Sequence, residues 1–390
     1  MNFTHRCLAR SLCLTLGLGA FCWLIFPPFI QTGQTGQTRW PRKIEVPNLH
    51  YDQPAEAMEH YLRKRLPRGM TELPVERYVA AERQMNAMPR YSTALGRTLP
   101  SRAAIKGEPD QQSLGTWTSL GPGNIGGRAR AFLIHPTNPA TMYAAGVAGG
   151  VWRTTDGGAM WAPIADLIAN IAVNSMAMEP GNPGVIYAGT GQGTFAGSAV
   201  RGAGIFKTTD GGVTWTQLAA TNNIDFHYVN DIVISPNNAQ RVYAGTRTGV
   251  FLSTDGGATW AKSLALGVQG GCMDLAIRTD QTTDSLLAST GTLAQATVYR
   301  NADAAGGGSW TPVLTETGMG RTSLAFAPSN QNVVYASAAS IAGGPYLHGL
   351  HAVFRSTDGG ATWTARVRNS DPNKLNTAIL SYPAFLAGSQ

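Results

Sequence analysis

Two aspartates occupy matching positions in neighbouring repeats of this chain, where they could perform acid–base chemistry. Asp231 lies in the segment NDIVISP, and Asp274 lies at the same place in the aligned segment MDLAIRT. A glycosidase needs two carboxyl groups that face each other across the scissile bond. If the two segments form adjacent strands, Asp231 and Asp274 are the candidates for such a pair.

Further polar residues occupy the equivalent position in the other repeats. Alignment of the segments on their closing proline places Arg, Asn and Asp side chains at equivalent points, with other arginines just before them. The ligand-binding candidates are Arg128, Arg130, Asn174, Asn230 and Arg321. Such a ring could bind a ligand, or it could only solvate a water-filled channel.

Other kinds of site find little support. His348 and His351 lie three residues apart in a Gly-rich loop without a third ligand nearby, so no metal is predicted. No phosphate-cradling loop occurs and no cofactor is expected. The net charge of +7 divides into +6 for the first 112 residues and +1 for the rest. The folded part therefore carries no basic stripe, which argues against a nucleic-acid partner.

These candidates must be positioned by a repeated element whose hallmark is one ten-residue box. FKTTDGGVTW at 206–215 returns as FLSTDGGATW at 251–260 and FRSTDGGATW at 354–363, with weaker copies at 152–161 and around 303. Asp can accept hydrogen bonds from its own turn, and the glycines tolerate positive φ. Tryptophan then begins a strand and can wedge between sheets. The predicted structural residues are Asp156, Trp161, Asp210, Trp215, Asp255, Trp260, Asp303, Trp310, Asp358 and Trp363.

The boxed aspartates are 54, 45, 48 and 55 residues apart, and three short apolar strands precede each box. Four strands per unit at this period predict an all-β fold, a β-propeller of four-stranded blades. Five blades are complete. GTWTSL at 115–120 is predicted to be a closing outer strand, and LNTAILSYP at 375–383 matches the innermost strand of a partial sixth blade. We therefore expect a truncated propeller.

The box S/T-x-D-G-G-x-T-W resembles the Asp-box, or BNR repeat, of sialidases, xyloglucan-cleaving endoglucanases, the sortilin propeller and photosystem II assembly factors. Residues 121–158 look most like exported bacterial propellers of the sortilin-like or glycosyl-hydrolase-like kind. The resemblance implies the propeller but no single function. Ala148 stands where the xyloglucan-cleaving enzymes carry an acidic residue, and GRARAF lacks the Ile-Pro of the sialidase motif.

The rest of the chain predicts export. Residues 1–30 combine a basic start with an apolar run and indicate a signal peptide or an uncleaved anchor. Residues 31–53 form a linker, 54–115 a helical extension and second linker, and 116–390 the propeller. Cys272 is the only cysteine of the propeller region, so no internal disulfide is expected there. The predicted location is extracytoplasmic, with membrane contact only through an uncleaved N-terminus.

Three functions remain open from the sequence. The first is a non-catalytic propeller that binds a protein or glycan at its channel mouth. The second is a glycoside hydrolase of the Asp-box group that uses Asp231 and Asp274. The third is an assembly factor similar to the photosystem II type, which works at a membrane through its N-terminal anchor.

Overall fold

The computed structural model describes residues 75–92, 96–99, 128–147, 149–164, 172–193, 200–267, 271–292, 294–342 and 349–370. The predicted signal segment, the first linker, the closing strand at 115–120 and the strand at 375–383 lie outside these ranges. So do Ala148 and His348. No helix among the described residues is long and apolar enough to span a bilayer.

A short helix and a hairpin precede the propeller. Helix α1 (Val75–Ala87) lies within the predicted helical extension. Strands β1 (Arg90–Ser92) and β2 (Arg97–Leu99) pair in antiparallel register within the segment that we expected to be a linker. Gly96 in the connecting turn has a φ of 61°, a conformation that glycine adopts without strain. Glu76 of α1 forms an ion pair with Arg201 at 3.4 Å.

Five four-stranded antiparallel sheets follow, and in each the strands pair in chain order. This confirms the predicted all-β propeller of four-stranded blades. Blade 1 is β3 (Ala129–Ile134), β4 (Met142–Gly146), β5 (Gly150–Thr154) and β6 (Ala162–Pro163). Blade 2 is β7 (Val173–Glu179), β8 (Asn182–Thr190), β9 (Ile205–Thr208) and β10 (Thr216–Gln217). Blade 3 is β11 (Val229–Ile234), β12 (Val242–Thr246), β13 (Gly249–Ser253) and β14 (Ala261–Ala265). Blade 4 is β15 (Cys272–Ile277), β16 (Leu286–Thr290), β17 (Val298–Asn301) and β18 (Thr311–Leu314). Blade 5 is β19 (Met319–Phe326), β20 (Val334–Ser340), β21 (Leu350–Ser356) and β22 (Thr364–Arg368).

The core lies between blades rather than inside them. Strands β12 and β16 are buried along their whole lengths, because neighbouring blades cover both faces of the middle strands. Ile232 of blade 3, for example, packs with Tyr187 and Ile205 of blade 2. Each blade is therefore stabilised largely by its neighbours, as in other repeat proteins.

The Asp-Gly-Gly turns join the third and fourth strands. In blade 2, Asp210 Oδ1 accepts hydrogen bonds from the Thr208 hydroxyl at 2.7 Å and the Thr214 amide at 2.9 Å. Gly211 and Gly212 have φ values of 68° and 92°. Asp156, Asp255 and Asp358 also accept from the preceding hydroxyl and from the amide four residues on.

Blade 4 carries the degenerate turn and holds it differently. Asp303 Oδ1 accepts only from the Gly306 amide, at 3.0 Å. Asn301 donates instead to the Gly308 carbonyl at 2.6 Å. The five tryptophans after these turns are all partly buried, and Trp215, Trp260, Trp310 and Trp363 pack on the cores between successive blades.

Candidate functional site

A β-bulge interrupts each innermost strand at the predicted site. The strand register shifts between Ala129 and Ala131, and equivalent shifts fall in the other four blades. The extra residues in blades 1 to 4 are Arg130, Asn174, Asn230 and Met273. A bulge bends its strand and re-aims the extra side chain. The pattern explains why polar residues interrupt strands that are otherwise apolar.

The bulge residues form a chain of contacts from blade 1 to blade 4. Arg130 Nε donates to Asn174 Oδ1 at 3.2 Å, and Asn174 Nδ2 donates to the Asn230 carbonyl at 3.3 Å. Asn230 Nδ2 in turn donates to the Cys272 carbonyl at 2.8 Å, and its Oδ1 accepts from the Gly193 amide. Both asparagines are buried. Their amides therefore join successive blades, which is a structural use of two predicted ligand-binding residues.

The two candidate carboxyl groups also join blades. Asp231 Oδ1 accepts from the amide of Ile232 at 2.9 Å, and its Oδ2 accepts from the amide of Leu275 in blade 4 at 2.8 Å. Asp274 Oδ2 accepts from the amide of Leu324 in blade 5 at 3.0 Å. Each carboxyl group thus links its own innermost strand to that of the next blade.

Asp231 and Asp274 lie so close that their carboxyl groups form a hydrogen bond with each other. Burial raises the pKa of Asp231 well above its usual range, and the charge of Asp274 raises it further. Burial also raises the pKa of Asp274, but the Leu324 amide and the charge of Arg321 oppose that rise. The pKa of Asp231 is therefore the more strongly raised of the two. Both side chains keep a partly exposed surface.

Arginines from blades 1 and 5 converge beside this pair. Burial lowers the pKa of Arg130, and repulsion from Arg321 and then Arg128 lowers it further, while the charge of Asp274 raises it. The three guanidinium groups therefore share one neighbourhood with a carboxylate. Arg128, Arg130 and Arg321 are the predicted ligand-binding residues that the fold leaves partly or fully exposed.

Three residues of the site were not predicted. Cys272 is buried, and burial, followed by the two aspartates, raises the pKa of its thiol. Thr292 donates a hydrogen bond to Met273 Sδ at 2.9 Å. Gly193 provides the amide that Asn230 accepts. Thr292 and Gly193 come from loops that no repeat pattern aligns, so the sequence offered no signal for them.

No metal centre is evident in the part of the chain that the structure describes, where no three His, Cys, Asp or Glu residues are grouped to hold an ion. His351 instead contacts Glu316 at 3.2 Å, and Arg368 binds the same carboxylate through two hydrogen bonds of 2.8 and 2.9 Å.

The geometry limits what the aspartate pair can do. Carboxyl groups of retaining and inverting glycosidases are about 5–9 Å apart, which leaves room for the sugar or a water between them. Two carboxyl groups in mutual hydrogen-bond contact leave no such room. Asp231 and Asp274 therefore do not flank a glycosidic bond as separate acid and base in this structure. A carboxyl group with a raised pKa beside a second carboxyl group is what they provide.

Comparisons with known proteins give distant relatives. No family model matches the chain. A xyloglucanase from Hypocrea jecorina (strain QM6a) is 24% identical over 165 residues, which cover 40% of this chain and 18% of that protein. The GH74 enzyme of Niastella koreensis is 22% identical, with a TM-score of 0.47, over 62% of this chain and 38% of that chain. The GH74 xyloglucanase from Xanthomonas campestris is 18% identical, with a TM-score of 0.42, over 62% of this chain and 45% of that chain.

The five sheets define the class: the chain is a β-propeller of four-stranded blades. It spans less than half the length of each of these three relatives. The likeness is one of fold, and it leaves the activity of this chain to be argued from its own residues.

Proposed function

We propose that this protein acts on a glycan at its channel mouth, as a glycoside hydrolase of the xyloglucanase type. The observation that carries the proposal is the close pair of Asp231 and Asp274, in which burial and the neighbouring Asp274 charge raise the pKa of Asp231. Cleavage of a glycosidic bond needs an acid that is still protonated near neutral pH, and carboxyl groups with raised pKa values serve that purpose. The distant similarity to a xyloglucanase supports the same substrate class.

In this proposal the two aspartates have different roles. Asp231 donates its proton to the oxygen of the leaving sugar as the bond breaks. Asp274 is a positioning residue, because its carboxylate accepts the Asp231 hydrogen bond and raises the pKa of that group. Asp274 is too close to Asp231 to activate water from the opposite face of the sugar, so that step uses neither aspartate. Arg128, Arg130 and Arg321 would bind sugar hydroxyl or carboxylate groups beside the acid.

A second function is a non-catalytic propeller that binds a glycan or protein at the same mouth. One observation favours it: the oxygens of Asp231 are already occupied by the amides of Ile232 and Leu275. On this view the pair stabilises the ring of blades, and the exposed arginines do the binding.

Hydrolysis assays separate the two functions. The purified chain is incubated with xyloglucan, other β-glucans and sialosides, and reducing ends are measured. The hydrolase proposal expects turnover that Asp231→Asn abolishes and that Asp303→Asn, a carboxyl change in the distant turn of blade 4, leaves intact. Binding to one of these glycans without turnover, lost on Arg130→Ala, would favour the second function.

Two finer assignments belong to the same proposal. We infer that the Asp-Gly-Gly turns of blades 1, 2, 3 and 5 are Asp-boxes, since all four share one set of hydrogen bonds. We also place the protein outside the cytoplasm, on the basis of its basic and apolar N-terminal segment. Mass spectrometry of the mature N-terminus distinguishes a cleaved signal from an anchor.

A further inference from the structure

One joint recurs between successive blades of this propeller. In each blade a residue of the second strand and a residue of the third strand lie directly opposite each other, and we call them the cross-strand pair. The pairs are Tyr143 with Arg153, Tyr187 with Lys207, Tyr243 with Leu252, Leu287 with Arg300 and Tyr335 with Arg355. Side chains of the first four pairs donate hydrogen bonds to the blade that follows.

The usual acceptor is a carbonyl of the next Asp-Gly-Gly turn. Tyr143 and Arg153 of blade 1 both donate to the Gly211 carbonyl of blade 2, each at 3.2 Å. Tyr187 and Lys207 of blade 2 both donate to the Gly256 carbonyl of blade 3, each at 3.0 Å.

The joint is kept even where a sequence element is missing. Between blades 3 and 4 the acceptor differs: blade 4 has the degenerate turn, and the Tyr243 hydroxyl of blade 3 donates to Asp284 Oδ2 of blade 4 at 2.8 Å instead. Between blades 4 and 5 the donor differs: blade 4 has leucine in place of tyrosine, and Arg300 Nε alone donates to the Gly359 carbonyl of blade 5, at 3.2 Å.

Blade 5 carries the donor half of this joint, and no described residue provides an acceptor for it. Tyr335 is 44% exposed, whereas the equivalent Tyr187 and Tyr243 are 1% and 0% exposed. The buried Nε of Arg355 has no hydrogen-bond partner within the described part of the chain. An unpaired buried donor is costly, and it is seldom left so in a stable structure.

Blade 1 carries the acceptor half, and no described residue provides a donor for it. A Cβ added at Gly211 or Gly256 would lie within 3.4 Å of the donor atom Tyr143 Oη or Lys207 Nζ, respectively. A Cβ added at Gly157 in blade 1 would have no described atom within 4 Å. Phe132 and Ile134, which face the same way, are 55% and 54% exposed, against 3% and 6% for the equivalent Ile232 and Ile234. Trp152 is also exposed, at the position of the buried Phe251.

From this complementarity we propose that the blade 5 face binds the blade 1 face of a second copy of this chain. Tyr335 and Arg355 of one copy would donate to the Gly157 carbonyl of the other, and Phe132 and Ile134 would be covered. The occupant is a second copy because every chain carries both halves, and within one molecule both remain exposed. The contact joins two different surfaces, so it repeats head to tail.

The test uses the full chain and two complementary variants. Phe132→Glu damages only the blade 1 face, and Tyr335→Glu damages only the blade 5 face. Ile224→Glu is the control, because Ile224 is also an exposed apolar residue, at 73%, but lies in the 3₁₀ turn (Ile224–Phe226) before blade 3. Sedimentation equilibrium gives the mass of each protein and of an equimolar mixture of the two face variants.

We expect the wild type and Ile224→Glu to associate as concentration rises, and each face variant to associate at least about tenfold more weakly. The mixture should form one-to-one dimers and nothing larger, since it offers one intact pair of faces. A wild-type chain that remains a monomer at every concentration overturns the proposal, and this measurement needs no variant. Face variants that associate as strongly as the wild type also overturn the proposal, because association would then occur elsewhere, for example through the N-terminal apolar segment. A mixture of the two face variants that stays monomeric overturns it as well.

Discussion

The carboxyl groups of Asp231 and Asp274 lie in contact between adjacent blades, and each also binds a backbone amide of the blade that follows. This relationship has two consequences for the molecule. It raises the pKa of Asp231, and it makes the joints between blades 3, 4 and 5 sensitive to pH. The two consequences can be measured separately.

We first predict that Asp231→Asn flattens the pH dependence of stability. The pKa of Asp231 is raised in the folded protein, so its contribution to stability is complete below its unfolded pKa, about 4, and is lost as the pH rises through the folded value. Asparagine carries no charge at any of these values. Urea midpoints measured from about pH 4 to pH 8 should therefore fall less for the variant than for the wild type. Parallel curves for the two proteins would contradict a raised pKa of Asp231.

The Asp-Gly-Gly turns should respond to pH in the opposite sense. Hydrogen bonds from the Thr362 hydroxyl and amide hold the pKa of Asp358 at about 2. This group therefore contributes stability above its unfolded pKa, and that stability is lost as the pH falls through the folded value. Asp358→Ala should lower the free energy of unfolding by about 1 kcal/mol at neutral pH, because two backbone amides lose the carboxylate that accepts their hydrogen bonds and bind water instead. Asp358→Asn, which keeps one accepting oxygen, should lower it by less in the same urea titration.

The cross-strand pairs predict a difference between two tyrosines. Tyr187→Phe removes a buried hydrogen bond to the Gly256 carbonyl and should lower the free energy of unfolding by about 1 kcal/mol. Tyr335→Phe removes a hydroxyl whose equivalent hydrogen bond is absent among the described residues, so the unfolding free energy of the monomer should change by less than about 0.5 kcal/mol. Denaturant unfolding at low protein concentration measures both. Equal losses would show that the Tyr335 hydroxyl already has a partner within the chain.

Asp284 should be among the most sensitive positions between blades 3 and 4. Its fully buried carboxylate accepts from Ser235 at 2.6 Å, Asn237 at 2.9 Å and Tyr243 at 2.8 Å, and lies 3.6 Å from Arg241. Asp284→Ala leaves these donors without an acceptor and should cost about 3–5 kcal/mol, measured by urea unfolding. Asp284→Asn retains one acceptor and should cost clearly less. A loss below about 1 kcal/mol for alanine would mean that water replaces the carboxylate.

The turns and the four-stranded blades follow from local sequence. The boxes at Asp210, Asp255 and Asp358 predicted the turns because the hydrogen bonds that shape a turn are local: each aspartate accepts from the hydroxyl two residues before it and from the amide four residues after it. The alternation of three apolar strands with a box predicted the four-stranded blades for the same reason. The hairpin at Arg90–Leu99 was not foreseen, since three-residue strands show too little alternation to be distinguished from a linker.

The site itself was decided by tertiary structure. Alignment of the repeats placed Asn174, Asn230, Asp231 and Asp274 at one depth, but depth alone does not say what a side chain contacts. The bulges turned the asparagines into links between blades, and close approach of two strands raised the pKa of Asp231 beside Asp274. The same holds for the exposure of Phe132 on blade 1 and Tyr335 on blade 5. Local sequence determines strands and turns because their hydrogen bonds are short-range, whereas burial, pKa and exposure depend on residues that only the arrangement of blades brings together.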